Sequence, residues 1–157
     1  MRDVMRICKI VLCVFVLCLL CSCSKSEIMP SAVIGDALAG CILPSGRVYM
    51  MGEMKTGKQS DEDVFRLLFD GYETGMAGVR CASVYLSARE SLCEMAVFLC
   101  YGDTEDAVDM CQRRGEFLAR SDRDAQYMTA VKGKYVLFAV GEDAEALLSA
   151  LRRAVDG

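Results

Sequence analysis

The stretch that decides the fold is Val79-Arg80-Cys81-Ala82-Ser83-Val84-Tyr85-Leu86-Ser87, followed after a short connection by Glu94-Met95-Ala96-Val97-Phe98-Leu99-Cys100-Tyr101. Successive side chains on a strand point to opposite faces. Ala82, Val84 and Leu86 therefore read as one inward face, and Met95, Val97 and Leu99 as its partner. Pairing Ser87 with Glu94 across the 88–93 connection makes an antiparallel hairpin. That register sets Ala82 beside Leu99, Val84 beside Val97 and Leu86 beside Met95, and brings Cys81 opposite Cys100 on the other face. A slip of one residue undoes both statements together.

Working outward, residues 129–140 repeat the pattern as a second hairpin that turns at Gly133-Lys134. Each hairpin leads into a helix. The first runs from Asp103 or Thr104 to about Arg120, with Ala107, Val108, Cys111 and Leu118 inward and Gly115 as a weak point. The second, residues 142–155, has Ala144, Leu147, Leu148, Leu151 and Val155 on one stripe. Acids lead it (Glu142, Asp143, Glu145) and Arg152 and Arg153 close it, as the helix dipole prefers. Upstream, residues 32–42 suit a helix with either Val33, Ala37 and Cys41 or Ile34, Leu38 and Ile42 inward, ended by Pro44-Ser45-Gly46. Ser60 reads as the N-cap of another helix, with Asp61, Glu62 and Asp63 in its first turn, Val64, Leu67 and Leu68 inward, and Gly71 as its stop. Residues 47–51 are apolar without a clear period. The expected fold is α+β: a small antiparallel sheet of two β-β-α units covered by helices, with a helical N-terminal part.

The chain's first 23 residues have a different character. Arg2, Arg6 and Lys9 precede a charge-free apolar run from Ile10 to Leu20. Eleven helical residues extend about 16 Å, roughly half of a hydrocarbon core, so the pattern is that of a secretory signal peptide. It ends Leu20-Cys21-Ser22-Cys23, which resembles a bacterial lipobox with Ser22 at the cleavage position and Cys23 as the lipidated residue. Cys21 departs from the Ala, Ser or Thr usual at its position. Residues 1–22 are thus expected to leave as the signal. Cys23 and the polar stretch to Ser31 form a lipid-bearing linker, and residues 32–157 make one extracytoplasmic domain. The implied location is the outer face of a bacterial cytoplasmic membrane, or the periplasmic side in a two-membrane cell.

In 157 residues there are 18 bases, 22 acids, no histidine and ten cysteines. The missing histidine excludes Ser-His and Cys-His catalysis and imidazole metal sites. A net charge of −4 argues against a nucleic-acid partner. Removing residues 1–22 takes away Arg2, Arg6, Lys9 and Asp3 and leaves a net −6, so an anionic leaflet repels the remainder and only a tether would hold it there. Cys8, Cys13, Cys18 and Cys21 leave with the signal. Cys41, Cys81, Cys93, Cys100 and Cys111 remain beside Cys23, an odd set without a Cys-x-x-Cys spacing. They read as small buried hydrophobes, with Cys81 and Cys100 the one pair the hairpin register brings together as a disulfide or redox couple.

The segments Ser83-Val84-Tyr85-Leu86-Ser87, Glu94-Met95-Ala96-Val97-Phe98 and the run from Val131 to Val140, followed by an acid-led helix, resemble a domain-of-unknown-function family, number 4358, of short lipoproteins from Gram-positive bacteria. The resemblance covers roughly residues 60–155 and the lipoprotein start. It implies an anchored extracytoplasmic domain and carries no catalytic residue.

Other motifs yield to plainer accounts. Gly52-Glu53-Met54-Lys55-Thr56-Gly57-Lys58-Gln59 approaches a phosphate loop, but Gln59 stands where a hydroxyl must bind Mg²⁺, and Asp61 to Asp63 would repel phosphate. Gly71, Gly75 and Gly78 read as a connector. Arg113, Arg114, Arg120 and Arg123 suggest an anion patch, yet Glu116, Asp122 and Asp124 interleave with them as on a solvated helix face. The acids at 61–63, 103–109 and 142–145 lack the alternating spacing of a calcium loop and suit helix starts. Met50, Met51 and Met54 suit gap filling better than soft-metal capture. The residues point to no catalytic set, no metal site and no cofactor. The expected function is a non-enzymatic, lipid-anchored module that binds a protein or a small envelope component. The alternative is an envelope enzyme or redox factor using Cys81 and Cys100.

Overall fold

The computed structural model describes residues 27–53, 61–88 and 92–157. In chain order the elements are α1 (Pro30–Ala39), β1 (Gly46–Met51), α2 (Glu62–Leu68), α3 (Tyr72–Gly75), β2 (Val79–Ser87), β3 (Glu94–Cys100), α4 (Glu105–Ser121), β4 (Gln126–Lys132), β5 (Tyr135–Gly141) and α5 (Ala144–Asp156). The five strands form one antiparallel sheet in the order β1-β2-β3-β5-β4. The α+β class and both β-β-α units stand as expected. The apolar residues 47–51 add a fifth strand beside β2.

Both faces of the sheet are covered. One bears α2, α3 and α4 over Ala82, Val84, Ala96, Phe98, Val136, Phe138 and Val140. The other bears α1 and α5 over Cys81, Tyr85, Met95, Val97, Leu99, Leu137 and Ala139. Phe65 and Phe69 of the first layer meet Phe98 and Phe138 edge-on, with Phe69 5.3 Å from Phe98 between ring centres. Such pairs contribute roughly 0.5–1.5 kcal/mol each beyond the area they bury.

This double cover corrects the expected register. Leu86 lies opposite Glu94, Val84 opposite Ala96 and Cys81 opposite Leu99. The pairing is one residue away from the one that alternation suggested. All seven residues of β3 are buried, so period-2 patterning distinguishes no inner face and leaves the register open. Ser87 closes the connection instead: its N–H donates to the Cys93 carbonyl at 3.0 Å, and its hydroxyl accepts from the Cys93 N–H at 3.2 Å.

The helices differ in detail from the sequence reading. Helix α1 begins at Pro30, whose fixed φ and missing N–H suit a first turn. It ends before Gly40, so Ile42, expected inward, is fully exposed. Of the stretch expected as linker, Glu27 and Ile28 are bonded to the sheet. In α2 the inward side chain is Phe65, while Leu67 is 86% exposed, because seven residues form only two turns and the aromatic wins the inner position. Ser60 and residues 54–59 of the glycine-lysine loop lie outside the described residues. Asp61 occupies the position before α2, where its N–H donates to the Met50 carbonyl and its carboxylate accepts from the Met50 N–H, both at 3.0 Å.

Gly115 in α4 has a packing role. A Cβ there would run into the Tyr127 ring of β4, so the glycine lets helix and strand approach closely. Gly133, at φ +58°, makes the two-residue turn of the β4–β5 hairpin. Asp143 caps α5, accepting from the Ala146 N–H at 3.0 Å.

Candidate functional site

Sheet and helices together leave two unlike ends. At the first, the chain preceding α1 lies across the start of β2 and the β4–β5 turn. The Glu27 carboxylate pairs with Arg80 and, at 2.8 Å, with Lys134. The Lys134 ammonium and then the Arg80 guanidinium hold that carboxyl below its ordinary range. The Tyr135 hydroxyl donates to the Ile28 carbonyl at 2.9 Å, and the Ser31 N–H donates to Glu53 at 2.8 Å. This strap closes the end.

The opposite end holds a pocket of about 450 Å³. Its walls are residues 40–44 after α1, Leu92 and Cys93 before β3, Gly141 at the end of β5 with Glu142 and Asp143 after it, and Ala146, Leu147 and Arg153 of α5. The segment after α1 is held in place: the buried Tyr85 hydroxyl donates to the Pro44 carbonyl, and the Ala88 N–H donates to the Ser45 carbonyl at 2.7 Å. Gly141 forms part of the floor, where an added Cβ would lie 3.3 Å from both Leu147 Cδ1 and the Leu92 carbonyl. Ile42, Leu43, Pro44, Leu92 and Leu147 make the pocket largely apolar. Asp143 is committed to capping α5. The side chains of Glu142 and Arg153 have no hydrogen-bond or ion-pair partner among the described residues.

Two thiols share this pocket, Cys41 and Cys93. Burial, then the neighbouring Cys41 and Glu94, push the Cys93 thiol up to about 11. It is therefore a neutral wall group at pH 7. The pair expected from the hairpin is not assembled. Cys81 faces α1 and α5, whereas Cys100 faces α4, on opposite sides of the sheet. A cross-strand disulfide needs both side chains on one face, and the one-residue change of register removes that condition. All five described cysteines are free thiols. Burial raises the thiols of Cys81, Cys100 and Cys111, so none of them is a ready nucleophile. Cys23 lies outside the described residues.

A second depression, between α2 and α4, gathers Arg66, Arg113, Arg114 and Arg120. Three of the four arginines expected as a patch are here, and Arg123 is not. Each of the four that line it is committed. Arg66 pairs with Glu62 and Glu73, Arg120 pairs with Glu116, and Arg113 Nε donates to the Asp70 carbonyl at 3.3 Å. Arg114 reaches inward and grips Glu94 with two bonds, Nε to Oε1 at 3.2 Å and Nη2 to Oε2 at 2.8 Å.

Glu94 is only 1% exposed and Arg114 12%. Burial raises the Glu94 carboxyl, and the guanidinium opposes that rise. The sequence marked Glu94 only as the first residue of a strand. Its one legible signal was a lone charge ahead of six residues without one.

The acids at helix starts have local duties. Asp103 accepts from the Glu105 N–H at 3.0 Å, while Asp61 and Asp143 make the bonds given above. Among the described residues no group of three or more Cys, Asp or Glu side chains is placed to hold a metal ion. No helix of the described residues is long and apolar enough to cross a membrane. These features define an antiparallel α+β domain with a single sheet buried between helical layers and a pocket at the sheet's end. No family model, curated protein or solved structure matches the chain.

Proposed function

We propose that this chain is a lipid-anchored extracytoplasmic binding module, and that the pocket at the end of the sheet takes a small, largely apolar ligand carrying a polar or charged group. The observation that carries the binding half is the pocket's composition: about 450 Å³ of mainly apolar wall with Glu142 and Arg153 uncommitted beside it. Binding sites are commonly concave, mostly apolar and fitted with a few polar groups that fix orientation. The anchor half rests on the basic start, the short apolar run and the Leu20-Cys21-Ser22-Cys23 sequence. A thioether-linked diacylglycerol and an amide-linked acyl chain supply the more than one chain that stable anchoring needs. Buried, neutral thiols on opposite faces of the sheet weigh against the redox alternative.

Two measurements test the two halves separately. Palmitate labelling is expected in the native chain and lost in Cys23→Ala; labelling that persists in the variant overturns the anchor. A naphthalene-sulfonate dye is expected to bind the folded domain and to lose most of its affinity in Ala146→Phe, which fills the pocket from an exposed helix position. Dye binding unchanged by that substitution overturns the pocket assignment.

A further inference from the structure

We propose that the strap end is the surface this domain lays against the lipid bilayer, so that the pocket opens away from the membrane. The inference rests on the anchor reading and adds an orientation to it.

Chain length supplies the first argument. Cys23 is four residues before Glu27, and four residues reach at most about 14 Å whatever path they take. Glu27 is fixed to Arg80 and Lys134, and Ile28 to Tyr135. A lipid on Cys23 is therefore held within that short distance of the strap end. A long linker would leave the domain free to turn over. This one does not.

The surface at that end supplies the second. Tyr101, directly after β3, is 69% exposed, the most exposed aromatic of the described residues. Its N–H donates to the Gly78 carbonyl at 2.9 Å, which fixes it beside the start of β2. The neighbouring Cys100 N–H donates to the Lys134 carbonyl at 2.9 Å, so Tyr101 and the hairpin turn share one rim. A tyrosine ring suits the boundary between headgroups and acyl chains. The Lys134 side chain, 55% exposed, suits the phosphates above it.

Surface charge does not choose between the ends. Beside Arg80, Lys132 and Lys134 stand Glu27, Glu53 and Asp156, and α4 opens at the same end with Glu105 and Asp106. The short tether and the Tyr101 ring, not net charge, hold this face to the lipid. With seven residues in β3 at about 3.3 Å each, the pocket stands roughly 23 Å from the rim that meets the lipid.

The chain contains no tryptophan, so a single introduced indole reports one position. Tyr101→Trp and Ile42→Trp place it at the strap end and the pocket end, both at exposed sites. The full lipidated chains are bound to vesicles of phosphatidylcholine and phosphatidylglycerol, a fraction of them brominated on the acyl chains. Quenching of the Tyr101→Trp indole is expected to be at least threefold stronger than that of Ile42→Trp, with its emission shifted to the blue. Equal quenching, or stronger quenching of Ile42→Trp, in protein that floats with the vesicles overturns the orientation and leaves the anchor standing. Chains that acquire no lipid on Cys23 overturn the anchor and the orientation with it.

Discussion

The two ends of the sheet are built from the same strands and differ in what joins them. At the strap end Gly133 and Lys134 alone join β4 to β5, and the Tyr101 N–H closes onto Gly78. The exposed charges there are paired across elements, Glu27 with both Arg80 and Lys134. At the pocket end the connections into β1 and β3 and out of β5 frame the pocket, and the side chains around it divide into those committed to the fold and those left uncommitted. Tyr85 and Asp143 are committed, whereas Glu142 and Arg153 are not. The concave site thus lies at the end where side chains remain that the fold does not use.

The largest expected effect comes from beneath the pocket end. Arg114→Gln leaves the Glu94 carboxylate buried without its cation, a change that costs about 3–5 kcal/mol. The loss depends on pH with a definite sign. Burial already places the folded carboxyl above its ordinary value of 4.5, and removing the guanidinium raises it further. The folded state then holds a proton that the unfolded chain has released, so stability is highest below pH 4.5 and falls as pH rises through the folded value. Thermal melts should show a deficit for Arg114→Gln that is larger at pH 8 than at pH 4.5. A deficit that is constant, or that shrinks at high pH, would show that Glu94 does not depend on Arg114.

Gly115→Ala comes next. The new methyl meets the Tyr127 ring, and overpacking of this kind costs typically 1–3 kcal/mol. Urea unfolding should show a lower midpoint with an unchanged slope. The double variant Gly115→Ala with Tyr127→Ala should recover part of the loss.

A smaller effect probes the strap. Tyr135→Phe removes one hydroxyl donor to the Ile28 carbonyl, worth about 0.5–1.5 kcal/mol. Hydrogen exchange should speed up at the first residues of α1 while amides around Pro44 and Gly141 keep their protection. Equal loosening at both ends would erase the distinction drawn between them.

The smallest prediction concerns Ser83, fully buried on β2 with a hydroxyl that no partner among the described residues satisfies. Ser83→Ala removes an unpaired polar group, so stability should stay level or rise by up to about 1 kcal/mol. A clear loss in a denaturant melt would mean that the hydroxyl has a partner after all.

The legible parts of the sequence were those where one physical preference acts alone. Gly133 and Lys134 announced their turn because β4 and β5 flank it immediately. Helix α5 announced itself through Leu147, Leu148 and Leu151 on one stripe between an acidic start and a basic end. The register of β2 and β3 was not legible because both faces of both strands are buried, and an apolar residue fits either parity. The inward position of Phe65 was hidden by Leu67 and Leu68, which are equally apolar and lie on a neighbouring part of a two-turn helix. The pocket had no signal at all. Its walls come from four separate stretches, and Cys41, Cys93, Glu142 and Arg153 share no spacing that a linear reading could weigh.

The bonds between Asp61 and Met50 carry one more consequence. Strand β1 is one border of the sheet, and its outward-facing amide and carbonyl at Met50 are already taken by Asp61. A stray extended peptide finds the border blocked at that point. Strand β4 is the opposite border, and no such pair of bonds blocks it among the described residues. Strand addition is thus hindered at one border of the sheet, which limits repeated edge-to-edge self-association.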